Sequence, residues 1–448
     1  MKKDILLVNP WIYDFAAYDF WLAPLGLLSL GAFLRKNGYG VQVIDCLRHS
    51  PHSPAPHRPG NPPRRFPAGH GHFFKETLPK PASLRAFPKR YSRYGITEAE
   101  FIRGLKAIRR PELILVTSMM TYWYPAVFDV IKILKAEFQG VPIILGGNYV
   151  TLCPLHARKS GADLLVGGEG EPQLPAIMKR FLGDALPFEV DPEDLDSYPY
   201  PAYDLYGSLE QVSILTSKGC PFHCSYCASH RINPGYRRRD PIRVTEEISY
   251  WHKVYGVGHF SFYDDALLVD PESMAIPLFR ELIRRAPACQ FHCPNGLHLR
   301  EVTAELAGLM FRAGFRTIRF GFETADAERQ RETGGKVANE HLESAVAYLR
   351  EAGYAPQDIG IYLLCGLPGQ TAIEVREAIN HVKHCGARPV IAEYSPIPGT
   401  ALWEASVKAS PHPIASEPLF HNNSLLPCRS SLLSDEMCQD LKRLSRIA

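Results

Sequence analysis

The chain has 448 residues, 46% of them hydrophobic and 22% charged, with a formal net charge of +3 at pH 7. That length predicts two or three domains, each able to bury a core. The small charge gives no electrostatic case for a nucleic-acid partner. The best apolar run, Trp21 to Leu34, has 14 residues and contains Pro24, where a membrane span needs about 20.

The opening "MKKDILLVNP" is expected not to be a signal peptide, because Asn9-Pro10 ends its short apolar stretch. A cytoplasmic, reducing compartment is then the default. Its eleven cysteines are expected to be free, metal-bound or catalytic rather than paired.

Residues 1–180 alternate strands and helices. "ILLVNP" (5–10) is an apolar run of strand length. Leu27, Leu30, Gly31 and Leu34 then recur at helical spacing, and Asn37-Gly38 stops that helix. "VQVIDC" (41–46), "LILVTS" (113–118), "PIILGG" (142–147) and "DLLVGGEGE" (163–171) continue the strands. Between two of them, Val127, Ile131, Leu134 and Phe138 form a helix face. Strands without polar alternation predict a parallel sheet covered on both faces. The domain is therefore read as α/β and doubly wound, Rossmann-like, with a ligand crevice at the carboxyl ends of its strands.

Residues 51–94 interrupt the pattern with nine Lys/Arg against one acid, Glu76, a net +8. The segment is read as a solvated insertion, with a lid or an anion-docking surface as the alternative. His49, His52, His57, His70 and His72 fall in or beside it without ligand spacing. Residues 181–209, rich in Pro and acid, read as an interdomain linker.

From 210 to 402 a second β/α series follows. Strands are predicted at 212–217, 258–263, 289–293, 316–322, 359–364 and 389–394, with helices between. Six βα units predict a partial (β/α)6 TIM barrel with its chemistry at the carboxyl ends of the strands. Residues 403–448 are read as a tail that caps the barrel.

Directly after the first barrel strand comes "SKGCPFHCSYCAS" (217–229), with Cys220, Cys224 and Cys227 spaced C-x3-C-x2-C. Three thiols admit three readings. Structural zinc needs a fourth ligand, which His223 or His230 would have to supply. A fully ligated iron–sulfur cluster needs four cysteines. A four-iron cluster on three thiolates leaves one iron open to a small molecule, as catalytic metal sites do.

This spacing at this place, with Tyr226 before the last cysteine, resembles the radical S-adenosylmethionine (SAM) superfamily. The resemblance covers about 210–400. It implies a 4Fe-4S cluster held by Cys220, Cys224 and Cys227, and reductive cleavage of SAM to methionine and a 5′-deoxyadenosyl radical. It further implies SAM-binding roles for named residues. Asp264 and Asp265 in "FYDDALL" would meet the ammonium, and Glu323 in "GFETAD" the ribose. Gly366 in "LLCGLPGQT" would approach adenine, with Tyr226 against the ring and Asn295 as a further ligand. N-capping, turn chemistry and core packing are the ordinary alternatives for these residues.

An α/β domain ahead of such a barrel, with "VTSMMTYWYPAV" (116–127) and "ILGGNYVTLCPLHA" (144–157), resembles the cobalamin-binding class of that superfamily. The strand-end residues that would meet cobalamin are Asn9, Trp11, Ser118, Thr121, Tyr122, Gly147, Asn148, Gly168 and Glu169. No D-x-H-x-x-G run is present, so no histidine ligand to cobalt is expected from that motif.

The resemblance implies a cobalamin-dependent C-methyltransferase. The alternatives are a radical SAM cyclase or rearrangement enzyme, with or without cobalamin, and a zinc-stabilised binding module. The implied partners are a small-molecule or peptide substrate and an external one-electron donor of flavodoxin or ferredoxin type.

Overall fold

The structure is a computed structural model that describes residues 3–48, 63–66, 68–286 and 288–446. His49, His52 and His57 lie outside the described residues. The chain divides into two units, Met1–Glu210 and Gln211–Ala448.

The first unit is built on a five-stranded parallel sheet. Its order is Gly40–Asp45, Asp4–Asn9, Leu113–Val116, Ile143–Gly146 and Leu164–Val166. Ile5, Leu7, Leu113, Leu115 and Ile144 pack under Phe33 and Leu34 of helix Leu25–Lys36 and Met178 of helix Leu174–Leu182. Their alternates Leu6, Val8, Ile114 and Val116 are buried too, so both faces are covered, as the unbroken apolar runs require. Each such side chain contributes about 1.5–3 kcal/mol on burial. The chain leaves the Asp4–Asn9 strand for one neighbour and later returns to pair with Leu113–Val116 on its other side. The carboxyl ends of those two strands therefore splay around a topological switch point.

Part of the basic segment is folded. Lys75–Thr77 and Ser92–Tyr94 join Ile12–Asp14 in a three-stranded antiparallel sheet with Ser92–Tyr94 central. Arg93 is buried and ion-paired to Glu76 at 2.6 Å. Residues 181–209 pack on this same unit. Leu186, Leu195 and Tyr203 are buried, Asp184 pairs with Lys3 at 2.6 Å, and the Tyr206 hydroxyl donates to Asp45 at 2.9 Å.

The second unit holds six parallel strands whose order in the sheet is their order in the chain. They are Gln211–Ile214, His259–Phe262, Gln290–His298, Phe315–Glu323, Ile359–Cys365 and Arg388–Glu393, called here the first to sixth barrel strands. The first and sixth are free edges of an open barrel. The third strand runs on past Pro294 to His298, beyond its predicted end. A register shift between Cys293 and Leu297 absorbs the proline's missing donor.

Phe260, Phe262, Phe291 and Phe315 stack on one face of this sheet, against Phe279 of helix Ala275–Arg285. The opposite, inward face is polar at its amino-terminal end. There Ser213 and Ser261 share a hydrogen bond of 3.0 Å, and His292 links His259 to Thr317 through two contacts of 3.1 Å.

The carboxyl-terminal helix Asp435–Arg446 packs on helix Ala372–His384 and the sixth strand. Cys438 Sγ lies 3.6 Å from Cys365 Sγ, and Lys383 Nζ donates to Leu444 O at 2.8 Å. Among the described residues no helix is long and apolar enough to cross a membrane.

Candidate functional site

The cysteine loop hangs from the end of the first barrel strand. Its base is a short antiparallel pair, Ser217–Gly219 with Tyr236–Arg238. Gly219 has φ 81°, and a Cβ there would stand 1.9 Å from Gly235 O, so only glycine closes this base. Inside the loop, Cys227 N donates to Cys224 O at 3.0 Å, forming a tight turn. Cys224 is buried, whereas Cys220 and Cys227 are partly open.

Burial pushes the Cys227 thiol up to about 11, opposed by the Ser229 N–H, which points at its Sγ from 3.4 Å. Burial raises Cys220 as well. Ionising these thiols inside the protein therefore requires a cation, as metal ligation supplies. Among the described residues no three His, Cys, Asp or Glu side chains converge as for one metal ion. A cubane does not ask for that convergence, because each thiolate binds a different iron.

A second segment closes on the loop. Gly334 lies so near that a Cβ would be 3.0 Å from Cys224 Cα, and Thr333 O accepts from Ser225 N at 3.2 Å. Two residues on, Lys336 Nζ sits 2.8 Å from Glu323 Oε1 and 5.6 Å from the centre of the Tyr226 ring. Burial works against its charge, but Glu323 first and then Cys224 outweigh it and hold its pKa above the usual lysine value. The Tyr226 hydroxyl donates to the same Glu323 oxygen at 2.9 Å. Glu323 ends the fourth strand at φ 71°, a left-handed conformation that costs a non-glycine residue about 1–2 kcal/mol. Strain of this kind gathers at functional sites.

The adjacent aspartates face different ways. Asp264 Oδ1 accepts four hydrogen bonds of 2.7–2.9 Å, from the amides and hydroxyls of Thr216 and Ser217. Its Oδ2 is buried without a partner. Burial raises Asp264 to about 6 against those four bonds. Asp265 accepts from Ser229 Oγ, and its charge acts on both Cys220 and Cys227.

Asn295 Nδ2 caps the second strand by donating to Tyr263 O at 3.0 Å. Gly366, at φ 100°, donates its amide to Gln370 Oε1 at 2.8 Å, and Gln370 Nε2 returns a bond to Leu364 O. Tyr226 packs against Leu364, Leu367, Tyr394 and Cys428. Tyr226, Glu323 and the three cysteines are thus brought together, with Asp265 beside them. Sequence reasoning missed Lys336, Gln370 and Ser229. The diglycine turn in "ETGGKV" (332–337) was the available signal for Lys336.

In the first unit, Asn9, Trp11 and Ser118 line a shallow, open pocket at the switch point, with Thr117, Met119 and Trp123. Asn9 Nδ2 donates to Asp45 at 2.7 Å. The Trp11 indole is engaged by protein: its N–H donates to Ile96 O at 2.7 Å and the Arg93 guanidinium lies 5.3 Å over its ring. Ser118 Oγ donates to Gly146 O at 2.6 Å. Thr121 and Tyr122 are buried in the short turn before helix Tyr124–Glu137.

Gly147 has φ 97°, and a Cβ there would stand 2.2 Å from Ser118 O. Asn148 N donates to that same carbonyl at 2.9 Å. Gly168 N donates to Thr151 Oγ1, and Glu169 O accepts from Gln173. Gly147, Asn148, Gly168 and Glu169 thus sit at the next two strand ends, outside the pocket lining. The switch-point pocket and the glycine turns at the next two strand ends leave the backbone there uncovered by bulky side chains. The three-thiol loop, with the Asp265 carboxylate beside it, fits a cluster and a cationic co-substrate.

Comparison with known proteins agrees with this geometry. Residues 214–382 match the radical SAM superfamily and residues 90–178 match the B12 binding domain. The chain is a radical SAM enzyme with a B12-binding domain, and its cofactors are a 4Fe-4S cluster, SAM and cobalamin.

It is similar to an uncharacterized methyltransferase of Pyrococcus horikoshii, 26% identical over 328 residues, covering 66% of this chain and 70% of the relative. It is also similar to cytidylyl-2-hydroxyethylphosphonate methyltransferase of Streptomyces wedmorensis, 21% identical over 472 positions, 91% of this chain and 82% of the relative. The fold is shared with the radical S-adenosylmethionine methyltransferase TsrM from Kitasatospora setae, solved with cobalamin and a 4Fe-4S cluster bound. Its TM-score is 0.64 at 18% identity, covering 92% of this chain and 80% of that one.

Proposed function

We propose that this chain is a cobalamin-dependent methyltransferase that acts on a carbon of a small-molecule or peptide substrate, using an external one-electron donor of flavodoxin or ferredoxin type. The reading rests on one conjunction: a three-thiol loop in a radical SAM barrel and a B12-binding domain, in a chain whose relatives include a methyltransferase that matches 91% of it, more than the 68% matched by a cyclase relative. When bound, the cofactors supply a hydrogen-abstracting radical and a methyl group. The protein supplies orientation and exclusion of water.

In this reading Cys220, Cys224 and Cys227 each hold one iron. Asp265, whose charge acts on two of those cysteines, accepts from the ammonium of SAM. Asp264 positions it by tying the second strand to the first. Lys336, Glu323 and Tyr226 form a buried unit that fixes the ribose side. Gly366, held by Gln370, presents backbone to adenine. Asn9, Ser118, Gly147 and Gly168 present the strand ends to cobalamin, while Trp11 and Tyr122 brace them from the core.

The two aspartates give a sharp test. Asp265→Asn is expected to weaken SAM binding about tenfold or more, with little change in stability, since a charge-assisted hydrogen bond is worth about 1.5–3 kcal/mol. Asp264→Ala is expected to lower the unfolding midpoint, because four donors at Thr216 and Ser217 lose their acceptor. SAM titration and thermal unfolding of both variants check this, and the reverse pattern would exchange the two roles.

Methyl transfer itself is tested with SAM labelled in its methyl carbon. Label in the substrate-derived product supports the proposal. Consumption of SAM with unlabelled product would replace it with a ring-forming or rearranging reaction.

A further inference from the structure

Two thiols outside the cysteine loop lie against each other, and the reaction uses neither. Cys365 ends the fifth barrel strand, and Cys438 stands in the first turn of helix Asp435–Arg446, 73 residues further on. Their sulfurs are 3.6 Å apart, and the two residues are 0% and 3% exposed. A disulfide is about 2.05 Å long. Rotation about the two Cα–Cβ bonds, with a small shift of the helix, completes the approach.

The contact is polarised. Cys365 keeps its proton and shares it with Cys438, which raises the first thiol and lowers the second. Lys442, one turn further along the helix, favours the Cys438 thiolate, while Glu393 and Asp435 oppose it. Lys442 is itself ion-paired to Glu393, the residue that pairs with Cys365 across the fifth and sixth strands. That ion pair fastens the helix beside the sulfur contact and keeps the two thiols in register.

The segment before the helix covers the turn that follows Cys365. A Cβ at Gly366 would stand 2.7 Å from Leu426 Cδ1. Leu426 holds φ 49°, a left-handed conformation unfavourable to any residue but glycine. Cys428 packs with Leu364 and Leu367, and Leu432 O accepts from Ala372 N at 3.0 Å. The chain from Leu426 to Cys438 thus runs from Gly366 back to the residue before it.

We propose that Cys365 and Cys438 form a reversible oxidation site, whose disulfide latches the carboxyl-terminal helix to the fifth strand and holds the covering segment over Gly366. The oxidant is a small disulfide, admitted by local opening of the helix. The Cys438 thiolate attacks one of its sulfurs, forming a mixed disulfide and releasing one thiolate. Cys365 then gives up its proton and attacks the Cys438 sulfur, releasing the second. The protein loses two electrons and two protons, and the oxidant leaves as two thiols. Only the effect on SAM rests on reading Gly366 as backbone that faces adenine.

The test uses the full chain with its cluster reconstituted, held without oxygen in buffers of oxidised or reduced glutathione. After alkylation of free thiols, oxidised wild type is expected to yield a peptide joining Cys365 to Cys438, which dithiothreitol separates. The oxidised chain should unfold at a higher urea concentration than the reduced one, because the link closes a loop spanning 73 residues. Labelled SAM should leave it several-fold more slowly. Cys438→Ala and Cys438→Ser should each give no joined peptide and the same unfolding and SAM release in both buffers. Glutathione adducts alone, or no joined peptide in wild type, would overturn the site. A joined peptide with unchanged unfolding would overturn the latch. A joined peptide and a stability shift with unchanged SAM release would support the latch and overturn the adenine-facing reading of Gly366.

Discussion

Cys220→Ala, Cys224→Ala and Cys227→Ala are each expected to abolish cleavage of SAM. All three thiols sit in one loop whose base is sealed by the Gly219–Gly235 contact, so no neighbouring cysteine is placed to substitute. A cluster with two thiolates is left with two irons lacking a protein ligand. The measurement is iron per chain and 5′-deoxyadenosine formed after reconstitution without oxygen. Wild type should hold about four irons, and each variant distinctly fewer with no turnover. Cys289→Ala, which alters a buried thiol outside the loop, should keep both iron and turnover. Wild-type turnover in any loop variant would remove the cluster assignment from that residue.

Glu323→Gln is expected to destabilise the second unit by about 3–5 kcal/mol, because it strands a buried ammonium. Lys336 and Glu323 have side chains only 15% and 10% exposed, with Nζ and Oε1 2.8 Å apart. Solvent therefore screens the loss little. Lys336→Met should cost less, since Tyr226 still donates to the carboxylate it leaves behind. The double variant should recover much of the loss, because it leaves no unpaired buried ammonium. Urea denaturation of the four chains gives the coupling. Losses that simply add would show that the pair does not act as a unit.

Much of the architecture was legible because each signal is local. Runs such as "LILV" have no polar alternation, and only a sheet covered on both faces buries them. C-x3-C-x2-C after a barrel strand carries its chemistry in its spacing. Asn37-Gly38 ended a helix where expected, with Gly38 at φ 87°. Pro294 misled, because a proline reads as a strand end unless a bulge absorbs it, and a bulge depends on the neighbouring strand.

The roles of adjacent residues were not legible. Asp264 and Asp265 look alike in "YDDA", yet successive side chains on an extended backbone point to opposite sides. One binds the strand ends and the other faces the cysteines. Trp11 lines the strand-end pocket, and what the residues around it do not announce is that Arg93, folded into the small sheet, lies over its ring.

The amino-acid sequence by itself determined the order of elements, the two βα series and the three thiols, since periodicity and spacing act over a few residues. Tertiary structure alone decided what stands beside those thiols. Lys336 reaches them only because the turn after helix Ala327–Glu332 packs on the cysteine loop. That arrangement joins segments far apart in the chain, and packing, not propensity, brings such segments together.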